Sequence, residues 1–379
     1  MNARIVRLRD FDPVLLLSAL GLVALGALLI YSGSFSQSGR PSGLDFSHPV
    51  VRQALFAACG LFLALLIAGT DYRLLGSLSM ALYVASIAAL VFVTTLGEQT
   101  YGSRRWILIG DTPVQPSEIA KLMVIIALAK YLADHQESIG SLRVFLTSLV
   151  LAAVPTVLVF SQPDLGSSVV FAAIWFGMVL VAGAKWQHLL GLLGTAVISI
   201  PFVFLALVTD YQRERIAIWL DPGSDPLGAG FQPLQAEISI GSGGLFGKGL
   251  IEGTQTQLGY LRTETTDYVF SVLGEELGFL GALVLFALFM VLLWRTVRVA
   301  ELSRDLFGRL LATGLVIYIL LQTFINVGVN VGLLPVTGIP LPFVSQGGSS
   351  LITLFIGLGI LQSILLRHRP FTFRNFYGP

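Results

Sequence analysis

Asp267 stands where a polar stretch of about 59 residues, 208–266, gives way to a long apolar run. An ionisable group at the edge of a hydrocarbon phase is costly to keep, so a carboxylate there is read first as functional. An ionised carboxylate can take a proton from an attacking hydroxyl, which is general-base chemistry. Aspartate starts near a pKa of ~3.9, and neighbouring cations hold it charged against burial. Three candidate cations share its side of the chain. Lys121 lies in Gln115-Pro116-Ser117-Glu118-Ile119-Ala120-Lys121, three residues after Glu118 and so on the same helical face. The pair is either an internal ion pair that relieves its own desolvation or a charged wall of a polar cavity. Arg104 and Arg105 precede Trp106. An interfacial aromatic belt explains the tryptophan, but not two adjacent arginines. Asp164, in Gln162-Pro163-Asp164-Leu165-Gly166, can serve a tight turn, yet it comes to the same depth as Glu118, Lys121 and Asp267. Glu275 and Glu276 follow Asp267 by eight and nine residues. On one continuous helix Glu276 points away from Asp267 and Glu275 lies about 80° round from it. Helix packing or a kink suits these two better than chemistry.

The elements that must carry these residues are apolar helices. The chain has 379 residues, 55% hydrophobic and 12% charged, with net charge +1 and mean hydropathy +0.81. A soluble domain carries about 25% charged residues. Runs long enough for a ~30 Å hydrocarbon core fall at 14–32, 50–69, 74–96, 117–133, 145–161, 168–184, 187–207, 270–295, 309–330 and 348–366. The expected fold is an all-α polytopic membrane protein, a single domain over 1–379, with ten transmembrane helices and a large extracytoplasmic loop between helices 7 and 8. The first run exceeds the apolar core of a signal peptide, so it reads as a retained span. Of 23 basic residues, 14 fall on the side of the termini, from Arg4, Arg7 and Arg9 to Arg367, Arg369 and Arg374. The short loops opposite hold Arg40, Arg52, Arg104 and Arg105. That bias puts both termini in the cytoplasm of a plasma membrane.

The 208–266 loop interleaves apolar and polar residues, unlike a flexible linker. It reads as short amphipathic helices in the outer interface, broken at Asp221-Pro222, Asp225-Pro226 and the 241–249 glycine cluster. That cluster is not a phosphate loop. A Walker loop ending at Gly247-Lys248 needs glycine at 242 and Ser or Thr at 249; the chain has Ser242 and Gly249. A dinucleotide fingerprint from Gly241 meets Phe246. Neither nucleotide nor nucleic-acid binding is indicated. His48, His135, His188 and His368 are scattered without ligand spacing, and the single cysteine, Cys59, excludes an intrachain disulfide. Asn326, Asn330 and the run 333–350, with three prolines and three glycines, cannot continue a helix. Irregular backbone at membrane depth survives only against protein or a water-filled cavity, so this run is expected to wall one.

Taken together, Arg105-Trp106, 115–121, 162–166, Asp225-Pro-Leu-Gly-Ala-Gly-Phe-Gln232, 240–249, Thr266-Asp267, 275–278 and 338–349 resemble the SEDS family (shape, elongation, division and sporulation) of polytopic peptidoglycan glycosyltransferases. The likeness runs from about residue 14 to 367. Gly253-Thr254-Gln255-Thr256-Gln257 and Gly338-Ile-Pro-Leu-Pro342 place it nearer the elongation-type, RodA-like branch than the division branch. Members often carry Leu-Pro-Glu-x-His-Thr-Asp-Phe where this chain has Leu261-Arg-Thr-Glu-Thr-Thr-Asp-Tyr268. Gln346 stands where a tyrosine usually follows the serine at 345.

The resemblance implies a reaction: a glycan on a polyprenyl pyrophosphate is transferred to the 4-hydroxyl of lipid II, forming a β-1,4 bond with inversion. Pyrophosphate leaves well without a protonated acid, so one base suffices, whereas glycoside hydrolysis usually needs two carboxylates. Asp267 is then the general base. Lys121, Arg105 and Arg104 stabilise pyrophosphate charge, Glu118 and Asp164 orient Lys121 or bind sugar hydroxyls, and Trp106 packs on lipid or sugar. A divalent cation could assist, although no ligand motif demands one. The implied partners are lipid II, lipid-linked glycan, membrane lipids and a class B penicillin-binding transpeptidase. A lipid II flippase is the main alternative, and a scaffold for an elongation complex a third. Transport by alternating access needs polar groups reachable from both sides, whereas the charged groups here gather at one end.

Overall fold

The computed structural model describes residues 10–38, 48–96, 98–100, 103–109, 112–206, 209–261 and 265–368. The arginines at 4, 7, 9, 40, 369 and 374 lie outside these. Ten helices of 18 residues or more make up the body: α1 (Pro13–Ser38), α2 (Pro49–Gly69), α3 (Arg73–Leu96), α4 (Pro116–Asp134), α5 (Leu142–Ser161), α6 (Leu165–Ala182), α7 (Trp186–Ala206), α11 (Val269–Leu302), α12 (Leu306–Asn330) and α13 (Gly348–Leu365). Eight of them are long and apolar enough to cross a membrane. The other two are α4, which carries Glu118, Lys121, Lys130 and Asp134, and α7. Between α7 and α11 lie three short helices, α8 (Asp210–Leu220), α9 (Phe231–Gly243) and α10 (Thr254–Gln257).

Local chemistry sets the helix ends. Proline occupies the first turn of α2 and α4, where a missing N–H costs nothing. Asp164 caps α6 by accepting from Ser167 N, and Asp305 caps α12 through Gly308 N. Thr209 and Gln212 form a reciprocal capping box on α8. α12 and α13 run through the interior: 61% and 78% of their apolar windows are buried, against 17% for α2.

An all-helical chain omits one feature. Residues Glu98–Thr100 (β1), Ser103–Ile109 (β2) and Thr112–Val114 (β3) form an antiparallel sheet in the order β1-β2-β3. Trp106, Ile107 and Ile109 favour a pleated surface over a loop, and Ile107 pairs with Val114 across β2 and β3. The sheet delivers Arg105 and Trp106 beside the start of α4.

α11 is two helices joined across a break at Gly278, where φ is +64°. The 241–249 cluster threads into that break. Lys248 N and Gly249 N donate to the carbonyls of Glu275 and Glu276, while Phe279 N and Leu280 N donate to those of Gly244 and Leu245. Such exchange requires backbone against backbone. A Cβ on Gly243 would stand 1.9 Å from Gly274 O, and one on Gly247 2.1 Å from Glu276 O. The glycines are there for close approach. Glu275 completes the joint by accepting from Lys248 Nζ (2.8 Å), Thr254 Oγ1, Gln255 N and both donors of Thr256.

Gly278→Ala forces a side chain into left-handed backbone and 2.3 Å from Gly247 N, and is expected to cost about 1–3 kcal/mol or more. Gly241→Ala, whose Cβ meets nothing within 4 Å, should be neutral or gain up to about 1 kcal/mol. Thermal unfolding in detergent separates the two; equal midpoints would refute the threading account.

Candidate active site

The site is built from backbone anchors outward. Asp267 lies in the turn that enters α11. Its carbonyl accepts two side-chain amides from α12: Asn326 Nδ2 at 3.0 Å and Asn330 Nδ2 at 2.8 Å. Asn330 is itself oriented, because Ser271 donates to its Oδ1 from both N and Oγ. Asn326 Nδ2 also donates to Ile339 O at 2.8 Å, joining the turn to the irregular run 331–347. Two further bonds fasten that run: Gln346 N donates to Thr265 O at 2.8 Å, and Ser345 Oγ to Thr266 O. Leu341 N in turn donates to Ser345 Oγ at 2.8 Å. The segment that could not be helical is therefore tied to the turn holding Asp267.

These elements enclose a cavity of about 840 Å³. Its wall includes Asp267, Arg105, Trp106, Gln115, residues 346–350, much of 332–340, and Arg52, Phe56, Glu214, Arg215, Trp219 and Glu237. At Gly338, where φ is +72°, the position of a missing Cβ lies 3.7 Å from Arg105 Nη1 and 3.8 Å from Asp267 Oδ2. Glycine thus leaves open the space between cation and carboxylate. Burial pushes the Asp267 carboxyl above its ordinary range; Arg105, Arg215 and a hydrogen bond from Thr266 pull it down, Asp164 adds to the rise, and burial prevails. A carboxylate of raised affinity for protons is a stronger base once ionised. Among the described residues no group of three or more His, Cys, Asp or Glu side chains could hold a metal ion.

The other sequence candidates divide into wall and backing. Arg105 and Trp106 are on the wall. Arg104 lies in β2 next to Arg105, and its side chain falls outside the described residues. Lys121, expected on the pyrophosphate, and Glu118 and Asp164, expected either to orient Lys121 or to bind sugar hydroxyls, do not line the cavity; each is at most 2% exposed. Lys121 Nζ donates to Glu118 Oε1 at 2.7 Å, Tyr318 OH donates to Glu118 Oε2 at 2.8 Å, and the ammonium sits 5.1 Å from the Tyr318 ring centre. A buried charge needs such compensation, which explains why the pair turns inward. It still reaches the site. Lys121 Nζ donates to Gln322 Oε1 at 3.4 Å, and Gln322 Nε2 to Pro340 O, a wall residue, at 3.0 Å. Asp164 likewise accepts from Gln115 Nε2 at 3.2 Å, behind the wall.

Arg215 and Arg52 were missed. Arg215 Nη1 donates to Val336 O at 2.7 Å, tying α8 to the 331–347 run. One signal was present: Arg215 and Trp219 are four apart and so share a helix face, and both meet the cavity.

The FTSW_RODA_SPOVE family, described as cell cycle protein, matches residues 13–369. Peptidoglycan glycosyltransferase MrdB of Escherichia coli (strain K12) is 40% identical over 357 residues, 93% of each chain. Stage V sporulation protein E of Bacillus subtilis (strain 168) is 39% identical over 358 residues, 93% of this chain and 96% of that one. Among solved structures, the rod shape determining protein RodA of Thermus thermophilus superposes with TM-score 0.67 at 31% identity, covering 97% of this chain and 98% of that one. A chain from a study of the structural coordination of polymerization and crosslinking by a peptidoglycan synthase complex matches with TM-score 0.77 at 34% identity, covering 94% and 98%.

Lys121→Ala strands the Glu118 carboxylate without a cation and is expected to cost about 3–5 kcal/mol of stability. The double variant Lys121→Met, Glu118→Gln should recover most of that loss, and with it the placement of Pro340. Thermal denaturation in detergent checks this; a double variant no more stable than Lys121→Ala would contradict a backing role.

Proposed function

The chain belongs to the FTSW_RODA_SPOVE (SEDS) family, and from that premise we propose that Asp267 is the general base of a peptidoglycan polymerase of the elongation type. The observation that carries the assignment is the convergence of Asp267 and Arg105 on the open space beside Gly338. In the reaction the 4-hydroxyl of a lipid II acceptor attacks C1 of the donor sugar. The C1–O bond to pyrophosphate breaks, its electron pair leaves with the phosphate, and a β-1,4 bond forms with inversion. Asp267 takes the hydroxyl proton. Arg105, with Arg104 beside it in sequence, offsets charge on the departing pyrophosphate, Trp106 packs on lipid or sugar, and Lys121, Glu118 and Asp164 hold the wall from behind.

The enzyme reading is favoured over a flippase by what became of the deeper acids. Glu275 is consumed by its hydrogen bonds to the 248–256 segment, and Glu276 accepts from Ser32. Both oxygens of Glu275 and one of Glu276 are thus engaged in local hydrogen bonds. The multi-pass bacterial membrane protein is proposed to lie in the plasma membrane with both termini cytoplasmic and the cavity outward, where lipid II is consumed. A class B penicillin-binding transpeptidase is the proposed partner, supported by the likeness to a synthase-complex chain.

Asp267→Asn keeps shape and removes the base. Purified protein with lipid II, read on a glycan gel, should lose about 10²–10⁴-fold in polymerisation rate. Wild-type turnover in this variant would refute the assignment.

A further inference from the structure

One polar atom beside Asp267 has nothing to bond to. Nine buried side-chain nitrogen or oxygen atoms among the described residues lack a hydrogen-bond partner. Eight belong to residues off the cavity wall; the ninth is the buried hydroxyl of Tyr268, a wall residue. Leaving a buried hydroxyl unpaired lowers stability, so an orphan of this kind calls for a reason. Its ring is 2% exposed, and its backbone is fixed, because the Tyr268 carbonyl accepts from Ser271 N at 3.0 Å and Val272 N at 3.2 Å. The neighbouring carbonyl, that of Asp267, is held by Asn326 and Asn330. Two consecutive residues on an anchored turn therefore belong to one cavity wall, and the buried phenol of the second is left without a partner.

We propose that the Tyr268 hydroxyl donates a hydrogen bond to an oxygen of the acceptor sugar when lipid II seats against Asp267, and so sets acceptor affinity. The proposal rests on the polymerase reading of this site. A phenol suits the task. Burial and the neighbouring Asp267 carboxylate both push it above its ordinary range, Arg215 opposing, so it stays a donor at neutral pH. A sugar offers the complement, a ring of hydroxyl and amide oxygens. A site built to hydrogen-bond a substrate discriminates strongly, because its own group is left unpaired when the bond is missing. The hydroxyl is also the atom by which residue 268 departs from the Asp-Phe pattern noted in the sequence.

Tyr268→Phe removes that oxygen and nothing else. The donor is supplied as a lipid II analogue with a blocked 4-hydroxyl, so that it cannot accept, and unmodified lipid II is varied as acceptor. The acceptor KM should rise about tenfold with kcat little changed, while the thermal midpoint stays level or rises because a buried orphan has gone. An unchanged acceptor KM overturns the proposal, and so does a fall in midpoint, which would reveal a structural partner. Asp267→Asn run alongside separates the two readings. If it is inactive while Tyr268→Phe matches wild type, only the acceptor contact fails; if it couples at the wild-type rate, the base assignment fails.

Discussion

Everything in the site depends on a backbone carbonyl. The Asp267 oxygen accepts from Asn326 and Asn330, and these bonds fix where a helix begins and where a carboxylate points. A buried polar group satisfied by two oriented amides is hard to displace, since either loss leaves partners unpaired. The same two asparagines reach two further elements: one also holds Ile339 of the irregular run, and the other is clamped by Ser271 at the first turn of α11. Helix, loop and base are thus set by a single knot of amides on α12. Precise placement of reacting groups is itself a large part of catalysis.

Around that knot the chain sorts its charges by environment. Three arginines, Arg52, Arg105 and Arg215, share the cavity wall with the carboxylates Glu214, Glu237 and Asp267. Away from the wall, Lys121 pairs with Glu118 behind it, and Glu275 with Lys248 at the helix break. Low-dielectric surroundings make an unpaired charge expensive, so these side chains meet partners within the chain. The Glu118–Lys121 pair reaches the cavity wall from behind, through Gln322 to Pro340.

How much of this was legible follows from the range of the signal. Hydropathy is local, and the long helices stand close to the expected apolar runs; α2 covers Pro49–Gly69 where 50–69 was read. Asp267 announced itself by a local change from polar to apolar sequence. The Glu118–Lys121 pair was visible because i,i+3 spacing is local too, but its inward orientation depends on Tyr318 and Gln322, about 200 residues away, and no spacing rule reaches that far. The small sheet escaped notice because its strands of three to seven residues are shorter than any reliable alternation. The glycine cluster was legible as a helix break, while its real demand, contact with the broken α11, exists only in the folded chain. Arg215 looked like one more charge on a polar loop until α8 brought it over the cavity.

The central claim is that Asp267 works as an ionised base whose charge is favoured by Arg105 against burial. The most direct measurement is the pH dependence of kcat/KM for glycan coupling by the wild type and by Arg105→Gln. A base is lost as pH falls through its pKa, so the wild type should show an acid limb above the usual aspartate value of ~3.9. Arg105 lowers that pKa, so its removal must move the limb to higher pH, whatever happens to the plateau rate. An acid limb at the same pH in both proteins would contradict the account.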